Sequence, residues 1–169
     1  MARKKTIPDA DVLAAVRSLH SAGGDKAVSF GLVARQTGLA PSTLAQRFGT
    51  VDAMLRAARL EGWRQLMDAT EAALRQVADK GPQGVLKALD TLAGGLGTPL
   101  AALRLSAAED DSRALAQDWR QMVENALAQR LGPGDKGREA AAILFAAWQG
   151  QMLWGAEGFR VKDAVKRLG

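Results

Sequence analysis

Apolar residues recur at helical spacing along almost the whole chain, and glycine or proline separates one apolar stretch from the next. The longest stretch, 50–80, fits either one long helix or two helices joined near Gly62, because glycine weakens a helix interior. The pattern therefore predicts an all-α protein of nine or ten helices, with segments at 7–21, 30–37, 41–48, 50–80, 83–96, 100–108, 112–131, 138–157 and 161–168.

Two short helices joined by a glycine turn stand out between residues 29 and 49. Ser29 can cap the first helix, Gly38 can end it, and Pro41 suits the first position of the second helix. Leu44 and Phe48 share one face of this second helix, because residues four apart lie on the same side. The opposite face carries hydrogen-bonding side chains: Ser42, Thr43, Gln46 and Arg47. This arrangement predicts a helix-turn-helix, although an ordinary helical hairpin has the same spacing.

The segment 138–157 is apolar almost all round. Such a helix has to be covered on more than one side, either by the rest of its own chain or by a partner chain.

Charge divides the chain unevenly. Residues 1–60 contain nine lysines and arginines against four aspartates, a net +5, and the remaining residues sum to zero. A basic N-terminal third next to a neutral remainder indicates a DNA-binding domain joined to a domain with another role. Lys4 and Lys5 belong to a basic N-terminal arm, which can contact DNA or be only a frayed end.

Composition argues against several other classes. The chain has no cysteine, no tyrosine and a single histidine, His20, so an enzyme would have few candidate nucleophiles or bases. The acidic run 109–111 is interpreted as helix capping, and we expect neither a metal site nor a cofactor. No apolar run reaches the roughly 20 residues of a membrane span, so we expect a cytoplasmic protein without a membrane partner.

The stretch 33–55 resembles the N-terminal domain of the tetracycline-repressor (TetR) family. That family's pattern places I-A, A-G-V-S, T-L-Y and H-F in order, and this chain has Val33-Ala34, Thr37-Gly38-Leu39-Ala40, Thr43-Leu44-Ala45 and Arg47-Phe48. Together with the helix before it, the resemblance covers about a third of the chain. Three positions depart from the pattern: Ala45 replaces tyrosine, Arg47 replaces histidine, and Val51 replaces a lysine. The tyrosine and the lysine often touch DNA phosphates in the family.

The resemblance implies a helix-turn-helix DNA-binding domain of three helices at 1–55 and a helical ligand-binding and dimerisation domain at 56–169. The expected DNA contacts are Lys4, Lys5, Ser29, Ser42, Thr43, Gln46, Arg47 and Thr50. An apolar or aromatic effector could be lined by Trp63, Met67, Leu103, Met122, Trp148 and Met152, although each also suits an ordinary core. A homodimer interface is expected at Leu127, Ile143, Ala146, Ala147, Gly150 and Trp154.

The function predicted first is a transcriptional regulator that represses by binding a double-stranded DNA operator as a homodimer and is released by a small molecule. The departures at Ala45 and Val51 favour the alternative, a dimeric helical binding module whose DNA recognition is weakened or lost.

Overall fold

The computed structural model describes residues 7–78, 80–95 and 110–154, and within them the chain forms only helices and their connections. Seven α-helices occur in these ranges, with a single 3₁₀ turn at Asp25–Ala27 between the first two. In chain order they are α1 (Asp9–Gly23), α2 (Phe30–Thr37), α3 (Pro41–Phe48), α4 (Val51–Gln76), α5 (Pro82–Gly95), α6 (Asp110–Leu131) and α7 (Gly134–Trp154).

This count is lower than the nine or ten helices predicted. Of the two alternatives for 50–80, the structure has the single long helix, and Gly62 is a buried position inside α4. The short helices expected at 100–108 and 161–168 lie outside the described residues.

The described residues fall into two compact units. The first holds 7–66 and 110–115, and the second holds 67–78, 80–95 and 116–154. Helix α4 runs without interruption through residues 55 and 56, where the sequence suggested a domain boundary.

The first unit is built around one apolar core. Helix α1 contributes Val12, Leu13 and Val16, whose spacing of three and four places them on one helical face. Removing a fully buried valine or leucine from water stabilises the fold by about 1.5–3 kcal/mol. The connection before α2 adds Val28, and the other helices of the unit add the remaining buried members of this cluster, which are Val33, Ala34, Leu44, Met54, Leu55 and Ala58.

Arg17 joins α1 to α4 within this unit. Its guanidinium donates to the Ala58 carbonyl at 3.3 Å and to Gln65 Oε1 at 2.8 Å. Burial lowers the pKa of Arg17, and the carboxylate of Glu61 acts in the opposite direction. The half-buried cation is thus hydrogen-bonded at two positions on α4, seven residues apart.

The second unit is held by aromatic packing between α6 and α7. Trp119 meets Phe145 edge to face at a centroid distance of 5.4 Å, and Phe145 stacks on Trp148 at 5.8 Å. Each indole N–H has an acceptor: Trp119 donates to Thr70 Oγ1 at 2.9 Å, and Trp148 donates to Asp90 Oδ1 at 2.7 Å. Burying these indoles therefore leaves no orphaned donor.

The turn between α6 and α7 is shorter than the sequence suggested. A loop was expected at 132–137, but α7 already begins at Gly134. Gly132 and Gly134 adopt positive φ angles of 121° and 83°, which turn the chain sharply enough for a helix to start at once. Gly137 lies so close to this turn that an added Cβ would stand 2.0 Å from the Gly132 carbonyl oxygen.

Candidate nucleic-acid interface

Helix α2 begins and ends as its sequence predicts. The Ser29 side chain accepts a hydrogen bond from the Leu32 amide at 3.2 Å, so its oxygen serves as the N-cap. Gly38 takes the left-handed conformation, with φ 74° and ψ 8°, and its amide donates to the Ala34 carbonyl. Thr37 adds a bond from its hydroxyl to the Val33 carbonyl at 2.8 Å. The turn that follows α2 is therefore fixed by backbone and side-chain bonds.

Helix α3 presents a polar face to solvent. Pro41 occupies its first turn, and Leu44 is completely buried in the core of the first unit. Ser42 and Gln46 are exposed, and Thr43 is half-buried. The buried leucine fixes the rotation of the helix, so these polar groups stay on its outer side.

Two neighbouring positions that depart from the family pattern are less exposed to solvent than Ser42 and Gln46. Ala45 is half-buried, and Val51 is packed against the core. Thr50 is exposed and caps α4, because its Oγ1 accepts from the Ala53 amide at 3.0 Å.

Arg47 has partners inside the protein that its sequence environment did not reveal. Its Nη1 donates to the Ile7 carbonyl at 2.8 Å and to Asp9 Oδ1 at 3.1 Å, and the side chain is 25% exposed. The sequence predicted that Arg47 contacts DNA, and it did not indicate these two bonds within the protein. Both acceptors lie about forty residues earlier in the chain, so no local pattern could indicate them.

His20 lies near the C-terminal end of α1, as expected, and it interacts with Asp25 at 3.0 Å. Arg59 of α4 approaches the same carboxylate at 3.6 Å. An open depression of about 330 Å³ adjoins this group, lined by Asp25, Val51, Asp52, Leu55, Arg56 and Arg59. Two carboxylates and two guanidinium groups line this depression, so its formal charges balance.

The residues expected to line an effector pocket are not gathered in one unit. Trp63 is buried and belongs to the first unit, whereas Met67, Met122, Trp148 and Met152 belong to the second. Trp148 is buried in the stack with Phe145, Met67 and Met122 are half-buried, and Met152 is 43% exposed. Leu103 lies outside the described residues, as do Lys4 and Lys5 of the arm.

The residues expected at a dimer interface are found partly on an uncovered face of α7. Ile143 is 50% exposed, Ala146 is exposed, and Ala147 and Gly150 are half-buried. Leu127 of α6 is completely buried within the chain, so its side chain is part of the core of the subunit. The side chain of Trp154 lies outside the described residues.

Within the described ranges, no group of three or more metal-binding side chains is found, and no helix is long and apolar enough to span a bilayer.

The sequence matches no protein-family model and no curated protein sequence. Solved structures are nevertheless similar over nearly the whole chain. A proposed transcriptional regulator from Saccharomonospora viridis in complex with choline has a TM-score of 0.67 at 21% identity, covering 95% of this chain and 92% of its own. A proposed regulator from Streptomyces coelicolor A3(2) has a TM-score of 0.63 at 19% identity, covering 95% and 96%. The TetR-family transcriptional regulator PfmR from Thermus thermophilus has a TM-score of 0.57 at 18% identity, covering 93% of each chain.

The chain has the TetR-family fold. The resemblance read from residues 33–55 therefore extends to the architecture of both units. These neighbours are described as transcriptional regulators, which are not enzymes.

Proposed function

We propose that this TetR-like chain is a DNA-binding transcriptional regulator whose helix α3 enters the major groove of an operator. The observation that carries the proposal is the solvent-facing polar surface of α3, formed by Ser42, Gln46 and part of Thr43. The buried side chain of Leu44 and the capped turn before α3 hold that surface in place. Glutamine can pair with adenine in the major groove, and serine or threonine can bond to bases or phosphates.

The proposed phosphate contacts surround this reading surface. Arg47 uses Nη1 for its protein acceptors, and a guanidinium has five N–H donors in all, so its remaining donors can meet a phosphate. Ser29 and Thr50 stand at the beginnings of α2 and α4, where helix termini favour anions. Lys4 and Lys5 would add contacts from the arm.

The regulator would act as a homodimer through α7. Ile143 and Ala146 leave apolar surface uncovered on this helix, while Phe145 and Trp148 bury its other side. Half-buried Ala147 and Gly150 would let a second helix approach closely. Two subunits would then place their α3 helices in successive major grooves, one DNA turn apart.

Repression would be released by a small molecule bound in the second unit. Such a ligand needs only to bind more tightly to the form of the dimer in which the spacing of the two α3 helices does not match successive major grooves. The similar S. viridis regulator was solved with a small organic ligand, which supports this mode of control. The aromatic and methionine side chains of this chain favour an apolar or aromatic effector.

The alternative is a dimeric binding module that has lost DNA recognition. Val51 supports this alternative, because the residue in place of the family's lysine packs against the core and offers no charge to a phosphate.

The two functions are separated by measuring the binding of the protein to duplex DNA from the promoter of its own gene at several salt concentrations. A regulator should shift this DNA in a gel, with affinity falling steeply as salt rises, because each phosphate contact releases counterions. The lost-recognition alternative predicts no shift at low salt with the fold intact.

A further inference from the structure

Apolar contacts hold α3 along a single line. Leu44 is its one completely buried residue, and Phe48, one turn later, packs against the core of the first unit. Residues four apart lie one above the other on a helix, so these two contacts share one side of α3. Two contacts on one line fix which face points inward, but they resist rotation of the helix about that line only weakly. No side chain caps the start of α3 at Ala40 to add a further restraint.

Arg47 adds a contact to the side of this line. Successive residues of an α-helix are about 100° apart, so Arg47 does not lie on the line of Leu44 and Phe48. Its Nη1 donates to the Ile7 carbonyl at 2.8 Å and to Asp9 Oδ1 at 3.1 Å, and its side chain is 25% exposed. These bonds therefore oppose the rotation that the apolar contacts leave weakly restrained.

The two acceptors belong to a fixed part of the first unit. Ile7 packs against the apolar core of that unit. Asp9 begins α1, and this helix is anchored by Val12 and Val16, which are both completely buried. The connection from Arg47 thus ends on groups that the packing of α1 and of the residue before it holds in place.

The rotation of α3 determines where the side-chain amide of Gln46 lies. Gln46 is exposed and immediately precedes Arg47. A glutamine that reads adenine makes two hydrogen bonds to one base edge, and such bonds weaken steeply when their angles depart from the ideal. A recognition side chain has to be held within about 0.5 Å and 10–20° of its productive geometry. Loss of the Arg47 bonds should therefore reduce base discrimination even where the fold is intact.

We infer that Arg47 is a positioning residue, which sets the rotation of α3 and thereby the base discrimination of Gln46. The inference rests on the proposed function. A phosphate contact by the same guanidinium would strengthen binding to every sequence alike, because phosphates carry no sequence information. The two roles therefore differ in the ratio of the affinities for two duplexes, which only the positioning role changes.

This affinity ratio is measured for the full chain with two duplexes. One carries the sequence that the parent selects from a random pool, and the other differs from it only at the base pair whose preference Gln46→Ala loses. The parent should bind the first duplex at least about 5-fold more tightly than the second. The ratio should fall below about 2-fold in Arg47→Met, and adding Gln46→Ala should lower it little further, because coupled residues give non-additive effects.

Asp9→Ala tests the same connection with the guanidinium still present. The affinity ratio should fall between the values of the parent and of Arg47→Met, because the bond to the Ile7 carbonyl remains. Asp11→Ala is the matched control, since it removes the same charge from an exposed position in the same first turn of α1. This control should keep the ratio of the parent.

Arg35→Met is the corresponding control for Arg47→Met, because it removes an exposed arginine from α2. It should also keep the ratio of the parent. Thermal unfolding shows whether each variant is folded, and if Arg47→Met does not fold, the comparison of Asp9→Ala with Asp11→Ala decides the question.

A parent-like ratio in folded Arg47→Met would overturn the inference while leaving the proposed function intact. The same fall in Asp11→Ala as in Asp9→Ala would also overturn it, because the charge of the turn and not the bond to Arg47 would then be responsible. A folded parent that shows no sequence preference would overturn the proposed function, and the inference with it.

Discussion

Two side chains of α3 that are close in sequence differ in their exposure to solvent. Leu44 is completely enclosed by the first unit, whereas Gln46, two positions later, is exposed. The first determines whether the helix is held in place, and the second is available to a partner. Substitution of Leu44 should therefore change the stability of the protein, whereas substitution of Gln46 should change DNA recognition.

Leu44→Ala should destabilise the protein by about 2–5 kcal/mol, because it deletes buried carbon atoms and leaves a cavity. Gln46→Ala should leave the free energy of unfolding within about 0.5 kcal/mol of the parent. Denaturant unfolding measures both values. A large loss for Gln46→Ala would show that Gln46 has a structural partner.

Arg47 shows how a contact distant in sequence changes a prediction. From the sequence alone, its replacement by alanine should hardly affect stability, because helical spacing places the residue on the outer face. In the structure, Arg47→Ala removes two hydrogen bonds and should cost ~1 kcal/mol.

For a chain of this size, that loss corresponds to a fall of about 2–4 °C in Tm, measurable by circular dichroism. Asp9→Ala combined with Arg47→Ala should cost less than the sum of the single changes, since both remove the same contact. An unchanged Tm for Arg47→Ala would contradict the geometry.

At the scale of elements, nearby residues were sufficient to predict where several helices begin and end. The side-chain partners that lie far apart in the sequence could not be predicted. Ser29, Gly38 and Thr50 each bond to a residue three or four positions away, so both ends of α2 and the start of α4 could be predicted from the sequence, whereas α4 ends at Gln76 and not near residue 80. The bonds from Trp119 to Thr70 and from Trp148 to Asp90 join residues 49 and 58 positions apart. No spacing rule specifies such partners, because they depend on how the helices pack.

The turn before α7 offers a test at the same scale. Gly137→Ala would place its Cβ 2.0 Å from the Gly132 carbonyl oxygen, so the turn would have to shift. We expect a loss of about 1–3 kcal/mol, as for other overpacked sites.

Gly31→Ala in helix α2 is the control, because the nearest atom to its added Cβ is Ser29 Oγ at 3.9 Å, an ordinary van der Waals distance. That variant should be neutral or more stable by up to about 1 kcal/mol, through helix propensity. Equal unfolding midpoints for the two alanine variants would refute the close approach at Gly137.

At the scale of the whole molecule, α7 has more apolar surface than its own chain covers. Ile143 is half-exposed, and Ala146 lies one turn further along the same side. Because Ala146 is exposed in the single chain, Ala146→Arg should leave the subunit folded while placing an unpaired charge in the proposed dimer seam.

Sedimentation should therefore show a dimer for the parent and a folded monomer for Ala146→Arg. Gln83→Arg, at an exposed position on α5, should remain dimeric. A monomeric parent at micromolar concentration would contradict the proposed α7 interface.

The proposed function depends above all on helix α3 reading the sequence of duplex DNA. Selection of bound duplexes from a random pool tests this most directly, with the parent and Gln46→Ala compared at the same salt concentration. We predict an enriched sequence of two inverted half-sites for the parent. Gln46→Ala should bind at comparable strength but lose preference at one base pair in each half-site, worth about 1–3 kcal/mol of discrimination. No enrichment by the folded parent, or an identical preference in Gln46→Ala, would contradict a reading role for α3.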